Sequence, residues 1–487
     1  MARRAVLAID EGTTNAKAVL VAASGEIVAS GSSPVPIEHP RSGWVEQDAT
    51  EIWAATRAAI ASCRAAAPDI EVVAVGISNQ RESVLIWDRR TGTPLGPVVS
   101  WQCRRTSAAC ATLRAAGHEP EVIALTGLPL DPLFPPTKIR WLLDNYGQSS
   151  GDVCIGTIDT WLIWQLSGGA VHATDRSNAA RTQLFNLPDG TWDETLCNLF
   201  GVARRMLPEV RDSSSLFGET KSAEVVPDGV PIASAIGDSH AALFGHGAFH
   251  IGDGKVTFGT GSSVMTTIRE FAAPPRGITT TIAWSFDGRS TYALEGNILI
   301  SASILPWTAK LLGLDGVEAL MGLAQQVPDA GGVALVPAHV GLGAPHWNAE
   351  ARGLICGLSF GTEPSHVARA AAESMAHQVR DVFDIMAQAG DGFGRLFVDG
   401  GPSRNSFLMQ IVADMLDHSV TPCRNSEASA LGAAHLAGLA VGFWQDLDAV
   451  AALSAHNPDI VPELPSDLRE MSVERWRRAI AGTLAAV

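Results

Sequence analysis

Two short stretches of the 487-residue chain join an apolar strand to a glycine and a cluster of small hydroxyl and amide side chains, the combination that lets a backbone cradle phosphate. The first is Ala5-Val-Leu-Ala-Ile-Asp10-Glu-Gly12-Thr13-Thr14-Asn15-Ala-Lys17, in which a strand reaches an aspartate, turns at Gly12 and resumes as a second strand. Gly12 permits a ligand to approach the backbone, Thr13, Thr14 and Asn15 add short donors, Lys17 brings a cation, and Asp10 can hold Mg²⁺ through water. The second, Lys255-Val-Thr-Phe-Gly259-Thr260-Gly261-Ser262-Ser263, repeats the design. An ordinary polar hairpin tip is the other reading of either stretch. Two of them, each opening a half of similar size, point to duplicated halves closing on one nucleotide.

Other candidate residues stand at strand ends, where ligands collect in α/β sheets. A strand over residues 231–237 gives way at once to a small-residue helix at Asp238-Ser239, so the Asp238 carboxylate can enter a cleft as a base, or simply cap its helix. Arg81 and Glu82 follow a strand over 71–78, and Trp101 closes one over 97–101; together they could hold a polar ligand against a flat wall. A surface ion pair and a core tryptophan are the alternatives. Asp399-Gly400-Gly401-Pro-Ser-Arg-Asn405 places two glycines before a helix starting near Ser403, a shelf suited to an adenine ring and ribose, with Asn405 able to bond a base edge or phosphate. A glycine-rich helix entry without a ligand fits the same residues.

The elements that must position these groups alternate strand and helix. A helix is expected from about Thr50 to Ala67, capped by Asp48 or Thr50. The Pro-rich passage 127–137 leads to an amphipathic helix over 138–144, and 154–164 is a strand running into a helix. The polar run 174–181 reads as loop with a structural duty, and the alanine-rich helices over 367–381 and 428–438 as framework around the nucleotide. The length calls for two large domains, divided as 1–246 and 247–487. A net charge of −16 disfavours a nucleic-acid partner. Seven scattered cysteines argue for reduced thiols and against a zinc site, and no apolar stretch is long enough to span a bilayer, so no membrane partner and a cytoplasmic location are expected.

The motifs Asp10-Glu-Gly-Thr-Thr, Asn79-Gln-Arg-Glu-Ser, Trp101-Gln-Cys-Arg-Arg-Thr, residues 156–164, Tyr292-Ala-Leu-Glu-Gly296, Gly341-Leu-Gly-Ala-Pro-His-Trp347, Asp399-Gly-Gly401 and residues 439–444 resemble those of the FGGY carbohydrate kinases, and within them the glycerol-kinase branch. The resemblance implies an α/β two-domain ribonuclease H-like fold, shared by sugar kinases, actin and the Hsp70 ATPase, with the active site in the interdomain cleft. It implies an ATP-dependent kinase acting on a small polyol or sugar, with Arg81, Glu82, Trp101 and Asp238 around the substrate and Asp238 as general base. Mg²⁺ would be held partly by Asp10 and Asp238, the phosphates by Gly12, Thr13, Thr14, Asn15, Lys17, Gly259 and Thr260, and the adenosine by Gly400, Gly401 and Asn405. A homo-oligomer, dimer or tetramer, is expected on the same ground.

Three departures from that branch fall in the substrate pocket: Leu133 replaces a tyrosine, Ser239 a glutamine and Ser263 a phenylalanine. Each removes bulk or a polar tip, so a polyol somewhat larger than glycerol, or a ketopentose, is expected. Two others touch the nucleotide: Lys17 stands where arginine is common, and Pro306 replaces an amide side chain. A sugar-binding regulator with a dead site would show loss of Asp10 or Asp238, and both are present.

Overall fold

The computed structural model of the protein describes residues 3–149, 151–425, 427–454 and 456–485. Twelve strands form its main sheet: β1 (Arg3–Glu11), β2 (Asn15–Ala22), β3 (Ile27–Pro34), β4 (Ile70–Asn79), β5 (Ser214–Glu219), β6 (Pro231–Gly237), β7 (Gly254–Phe258), β8 (Ser262–Ile268), β9 (Thr279–Phe286), β10 (Arg289–Ile298), β11 (Leu396–Asp399) and β12 (Val420–Pro422). Across the sheet they run β12-β11-β7-β8-β10-β9-β5-β6-β4-β1-β2-β3. The helices that matter to the site are α1 (Ala49–Ala66), α2 (Pro136–Tyr146), α3 (Ile158–Leu166), α4 (Asp238–Gly245), α5 (Pro364–Ala389), α6 (Ser406–Leu416) and α7 (Ala428–Ala440).

The same five-strand unit occurs twice in this order. In the first, β1 pairs antiparallel with β2 and β2 with β3, while β1–β4 and β4–β6 are parallel. In the second, β7 pairs antiparallel with β8 and β8 with β10, while β7–β11 and β11–β12 are parallel. The two glycine turns close the β1–β2 and β7–β8 hairpins, so each stands at the same place in its unit. β5 and β9 join the units through one parallel bridge, Ser214 to Phe286. Beside it Ser213 and Ser285 exchange backbone-to-hydroxyl hydrogen bonds of 2.9 and 3.0 Å.

β1 is apolar on both faces because both are covered. Ala5, Leu7 and Ile9 pack with α1 and α3, whereas Val6 and Ala8 face α4 and α7. α1 starts where its cap dictates, with the Asp48 carboxylate accepting from Thr50 N at 2.7 Å. In the second unit Val256 and Phe258 of β7 pack under α5 and α6, leaving Lys255 and Thr257 to the opposite face. Among the described residues no helix is long and apolar enough to cross a membrane, and all seven cysteines are free.

Three local expectations are corrected. The strand over 97–101 shrinks to Val98–Val99, because Trp101 N turns to Ser83 Oγ (3.1 Å) and the Ser100 carbonyl to Lys138 Nζ (2.9 Å) rather than to a neighbouring strand. The run 174–181 is not loop: Ala173–Asp175 is a strand and Arg176–Ala179 a short helix whose cap, Asp175, accepts from Ser177 N and Asn178 N. After the glycine pair comes a 3₁₀ turn, Gly401–Arg404, and α6 begins only at Ser406.

α4 and α7 meet backbone to backbone between the units, which requires glycine at the contact. A Cβ on Gly432 would lie 1.9 Å from the Ala241 carbonyl oxygen, and one on Gly245 2.2 Å from that of Ala428. Gly432→Ala is therefore expected to destabilise the protein by about 1–3 kcal/mol through forced separation of the helices. Gly322→Ala, on an exposed helix face with nothing within 4 Å of the added carbon, is expected to be neutral or to stabilise by up to about 1 kcal/mol. Denaturant unfolding of both variants checks this; equal midpoints would contradict the seam.

Candidate active site

Asp238 is the first residue of α4, and Ser239 N donates to its Oδ1 at 2.6 Å. The same oxygen lies 3.3 Å from Arg81 Nε, just beyond the end of β4. Arg81 Nη1 pairs at 2.8 Å with Glu295 Oε1, from the middle of β10, and Glu295 Oε2 pairs at 2.8 Å with Arg181 Nη1. Arg181 Nε in turn donates to Glu82 Oε1 at 2.6 Å. Five side chains thus alternate in charge, Asp238, Arg81, Glu295, Arg181 and Glu82, across both units of the sheet. Glu82 holds a left-handed backbone, φ +61°, which costs about 1 kcal/mol or more and persists because the ion pair fixes it.

Burial alone would raise the Glu295 carboxyl, but Arg181 and Arg81 overcome that and hold it well below the usual range. For Asp238 removal from water wins, and its carboxyl is raised despite Arg81. His240 lies beneath the chain, fully buried; burial first, then the Arg81 charge, drive its pKa far down, so the ring is neutral.

The remaining residues expected around the substrate fall into two groups. Trp101 is held by its indole, which donates to Thr13 Oγ1 at 2.9 Å, and so spans from the pocket to the first glycine turn. Leu133, half-buried, is fixed by a bond from its N to Asp131 Oδ1 at 2.7 Å. Opposite in character are Ser239 and Ser263, whose hydroxyls stand 3.2 Å apart, with Met265 Sδ 3.4 Å from the Ser239 hydroxyl. Two positions distant in sequence that both depart from the glycerol-kinase pattern are therefore direct neighbours.

At the first turn Gly12 N donates to the Asn15 carbonyl at 3.0 Å, and Thr14 O accepts from Val35 N at 2.9 Å. Lys17 is not turned to the loop; its Nζ pairs at 2.6 Å with Glu427, at the start of α7. Asp10 accepts from Ser78 Oγ at 2.8 Å. Burial, opposed by that bond, and the neighbouring Asp238 charge raise its carboxyl to about 6. Next to it Glu11 is fully buried against the Gln80 amide and raised well above the carboxylate range. Two crowded carboxylates, Asp10 and Asp238, suit Mg²⁺, which keeps several waters and takes its remaining oxygens from phosphate. The described residues contain no cluster of three or more His, Cys, Asp or Glu that would make a complete protein cage.

At the second turn Gly259 and Thr260 are exposed, their carbonyls bound by Ala302 N and Ser301 N at 3.0 and 2.8 Å. The glycine shelf abuts this turn: a Cβ on Gly400 would lie 2.0 Å from the Phe258 carbonyl oxygen, whereas around Gly401 the space is open. Asn405 caps its own helix, Oδ1 accepting from Leu408 N at 3.0 Å, so only its amide NH₂ remains for a ligand. Pro306 lies in the first turn of a helix over Ile304–Leu311.

Four residues of the site escaped the sequence reading. Glu295 lay inside the quoted motif Tyr292–Gly296 with no role assigned, and Arg181 was placed in a loop. Lys255, buried on the cleft face of β7, bonds only Thr257 Oγ1 (2.7 Å), with the Asp399 and Asp238 charges near it. Lys138, on α2, is wholly buried behind Trp101. A lysine or arginine inside an otherwise apolar segment was the available signal for the last two.

Comparison with known proteins accords with this geometry. Residues 5–245 match the N-terminal domain of the FGGY family of carbohydrate kinases and residues 254–441 its C-terminal domain. The chain is 46% identical to an apulose kinase of Pectobacterium atrosepticum, covering 98% of this chain and 97% of that protein. It is 43% identical to a glycerol kinase of Carboxydothermus hydrogenoformans, covering 99% and 98%. Its structure superposes on a Plasmodium falciparum glycerol kinase with ADP at a TM-score of 0.94 and 31% identity, covering 99% and 98% of the two chains. A xylulose kinase from Rhodospirillum rubrum gives 0.89 and 26%, covering 98% of each. Duplicated units, glycine turns at the same place in each and similarity over the whole chain agree, and this protein belongs to the FGGY family of carbohydrate kinases, with the two-domain α/β fold of sugar kinases, actin and Hsp70.

Proposed function

We propose that the protein transfers the γ-phosphoryl group of ATP to a primary hydroxyl of a small polyol or ketose larger than glycerol. The halves 1–246 and 247–487 would close on the two substrates, the first carrying most of the carbohydrate pocket and the second the adenosine shelf. The observation that supports this most is the placement of Asp238, linked to Arg81 on one side and electrostatically coupled to Asp10 on the other. Asp238 takes the proton of the attacking hydroxyl as its oxygen bonds to the γ-phosphorus, and the bond to the β-phosphate oxygen breaks to release ADP. Arg81 holds the Asp238 carboxylate in place, and Arg81 and Glu82 bond the neighbouring hydroxyls, a guanidinium donating and a carboxylate accepting. Trp101 covers the carbon face. The amides and hydroxyls of Gly12, Thr13, Thr14, Asn15, Gly259 and Thr260 bond phosphate oxygens, with Lys17 once it leaves Glu427. Mg²⁺, held through Asp10 and Asp238, would offset charge on the phosphates when bound.

The substrate class rests on the pocket walls. Leu133, Ser239 and Ser263 leave more room than tyrosine, glutamine and phenylalanine, and the adjoining serine hydroxyls offer a polar wall to a further hydroxyl group. Similarity to a kinase named for apulose, a ketose, supports the same direction. Compared by kcat/KM, ketopentoses and four- or five-carbon polyols are expected to surpass glycerol and dihydroxyacetone; a clear preference for glycerol would sink this part of the proposal. The paired change Ser239→Gln with Ser263→Phe is expected to move the ratio toward glycerol by about tenfold or more.

Asp238→Asn is expected to lower kcat by about 10²–10⁴ with the fold intact, as followed by circular dichroism and coupled ADP release; wild-type turnover would remove Asp238 from the mechanism. Asp10 supplies a pH test. Its carboxyl is raised to about 6 without ligand, so it is ionised above that pH and protonated below. Mg²⁺–ADP affinity is therefore expected to fall as pH drops through 6, by up to about tenfold per unit, and Asp10→Asn to abolish the dependence in calorimetric titrations.

A further inference from the structure

Among the described residues no carboxylate pairs directly with the Lys138 ammonium. Its side chain is fully buried near the start of α2, and its Nζ donates to three backbone carbonyls: Ser100 at 2.9 Å, Trp101 at 3.3 Å and Leu133 at 2.9 Å. An ammonium has three protons and here each has its acceptor. The acceptors belong to two separate segments, the turn after Val98–Val99 and the Pro-rich loop before α2, which carry the indole and the aliphatic wall of the carbohydrate pocket. Among the described contacts the two segments are also tied by the exposed Arg104–Asp131 pair at 2.8 Å and, farther from Trp101, by Thr137 Oγ1 donating to Thr106 Oγ1 at 2.8 Å.

Building on the carbohydrate-kinase reading above, we propose that Lys138 is a positioning residue that sets the width of the carbohydrate pocket, and that loss of its third proton loosens the pocket and weakens carbohydrate binding. With the ammonium, both segments are pulled onto one nitrogen. With the neutral amine only two donors remain, so one of the three bonds is lost, that to the Trp101 carbonyl being the longest, and the hold of the Trp101 segment on the Leu133 segment loosens. Burial pulls the Lys138 pKa down to about 7, which brings the change into the working range of a kinase. The charged groups that face it are Glu82 from the turn after β4, Asp131 from the loop, and Arg104, paired to Asp131, with the Cys103 thiol nearby. Lys138 touches neither the phosphate turns nor Asp10 or Asp238, and its link toward them is the single Trp101 indole bond to Thr13 Oγ1, so the ATP KM is expected to stay nearly level.

The experiment is steady-state kinetics of the wild type, Lys138→Met and Lys138→Arg from pH 6 to 8.5, with the preferred carbohydrate and ATP each varied. In the wild type the carbohydrate KM is expected to rise about fivefold or more with a midpoint near 7, while the ATP KM stays level. Lys138→Met should show a carbohydrate KM raised about tenfold and independent of pH, with kcat at saturation nearly kept. Lys138→Arg, which stays charged throughout, should lose the pH dependence. A flat wild-type carbohydrate KM, or one that moves together with the ATP KM, overturns the proposal, and this readout needs no variant to fold. If no carbohydrate is turned over, the functional reading falls and this one is decided by hydrogen exchange. Residues 98–103 and 128–135 then exchange faster above pH 7, after correction for intrinsic rates, or the proposal is wrong.

Discussion

The carboxylate of Glu295 has no access to water and two guanidiniums against it. Removing either arginine would leave one buried carboxylate oxygen without its partner and the charge only half compensated, a defect on the order of several kcal/mol, so the three side chains behave as one object. That object spans the molecule: Glu295 comes from the second unit of the sheet, Arg81 and Arg181 from the first. What reaches the cleft is only its two ends, Arg81 on Asp238 and Arg181 on Glu82. The position of Asp238 is thereby referred to the centre of the sheet rather than to a surface loop, and His240 stays neutral beneath it because burial, reinforced by the Arg81 charge, disfavours a third cation.

Around that centre the architecture repeats. Each unit opens with a hairpin whose tip carries glycine and hydroxyl groups, and each closes with a parallel strand end that aims at the same cleft. The units are held by an unusually thin seam of glycine against carbonyl between α4 and α7, and by the serine pair at the β5–β9 bridge. Side chains at the seam would separate the helices and shift the two units relative to each other.

Local patterns made much of this readable. The strand–glycine–strand turns, the Asp48 cap, the strand-to-helix passage at Asp238 and the glycine shelf all announce themselves through neighbours in sequence, and the structure forms each of them locally as expected, save that the helix after the shelf starts later. What could not be read depends on partners far along the chain. Glu295 sits in an alternating strand where one acidic residue carries no signal of its own, and its partners lie in other elements. Lys17 has a plausible duty at the first turn and a quite different companion 410 residues away. Lys138 opens a helix read only as amphipathic, and its nitrogen points inward to carbonyls of the preceding loop and of a distant turn. The strand expected to reach Trp101 stops early for the same reason: its backbone groups are claimed by side chains rather than by a neighbouring strand.

The contact of Lys17 with Glu427 bears on turnover. Any anion that takes the ammonium must first take it from a carboxylate on the facing helix, so arrival and departure of phosphate are exchanges of one oxygen for another. On the proposed reading, the contact competes with the nucleotide for Lys17 and so lowers the affinity of the turn for any phosphate that needs the ammonium. A hairpin that would otherwise behave as a trap becomes a revolving door.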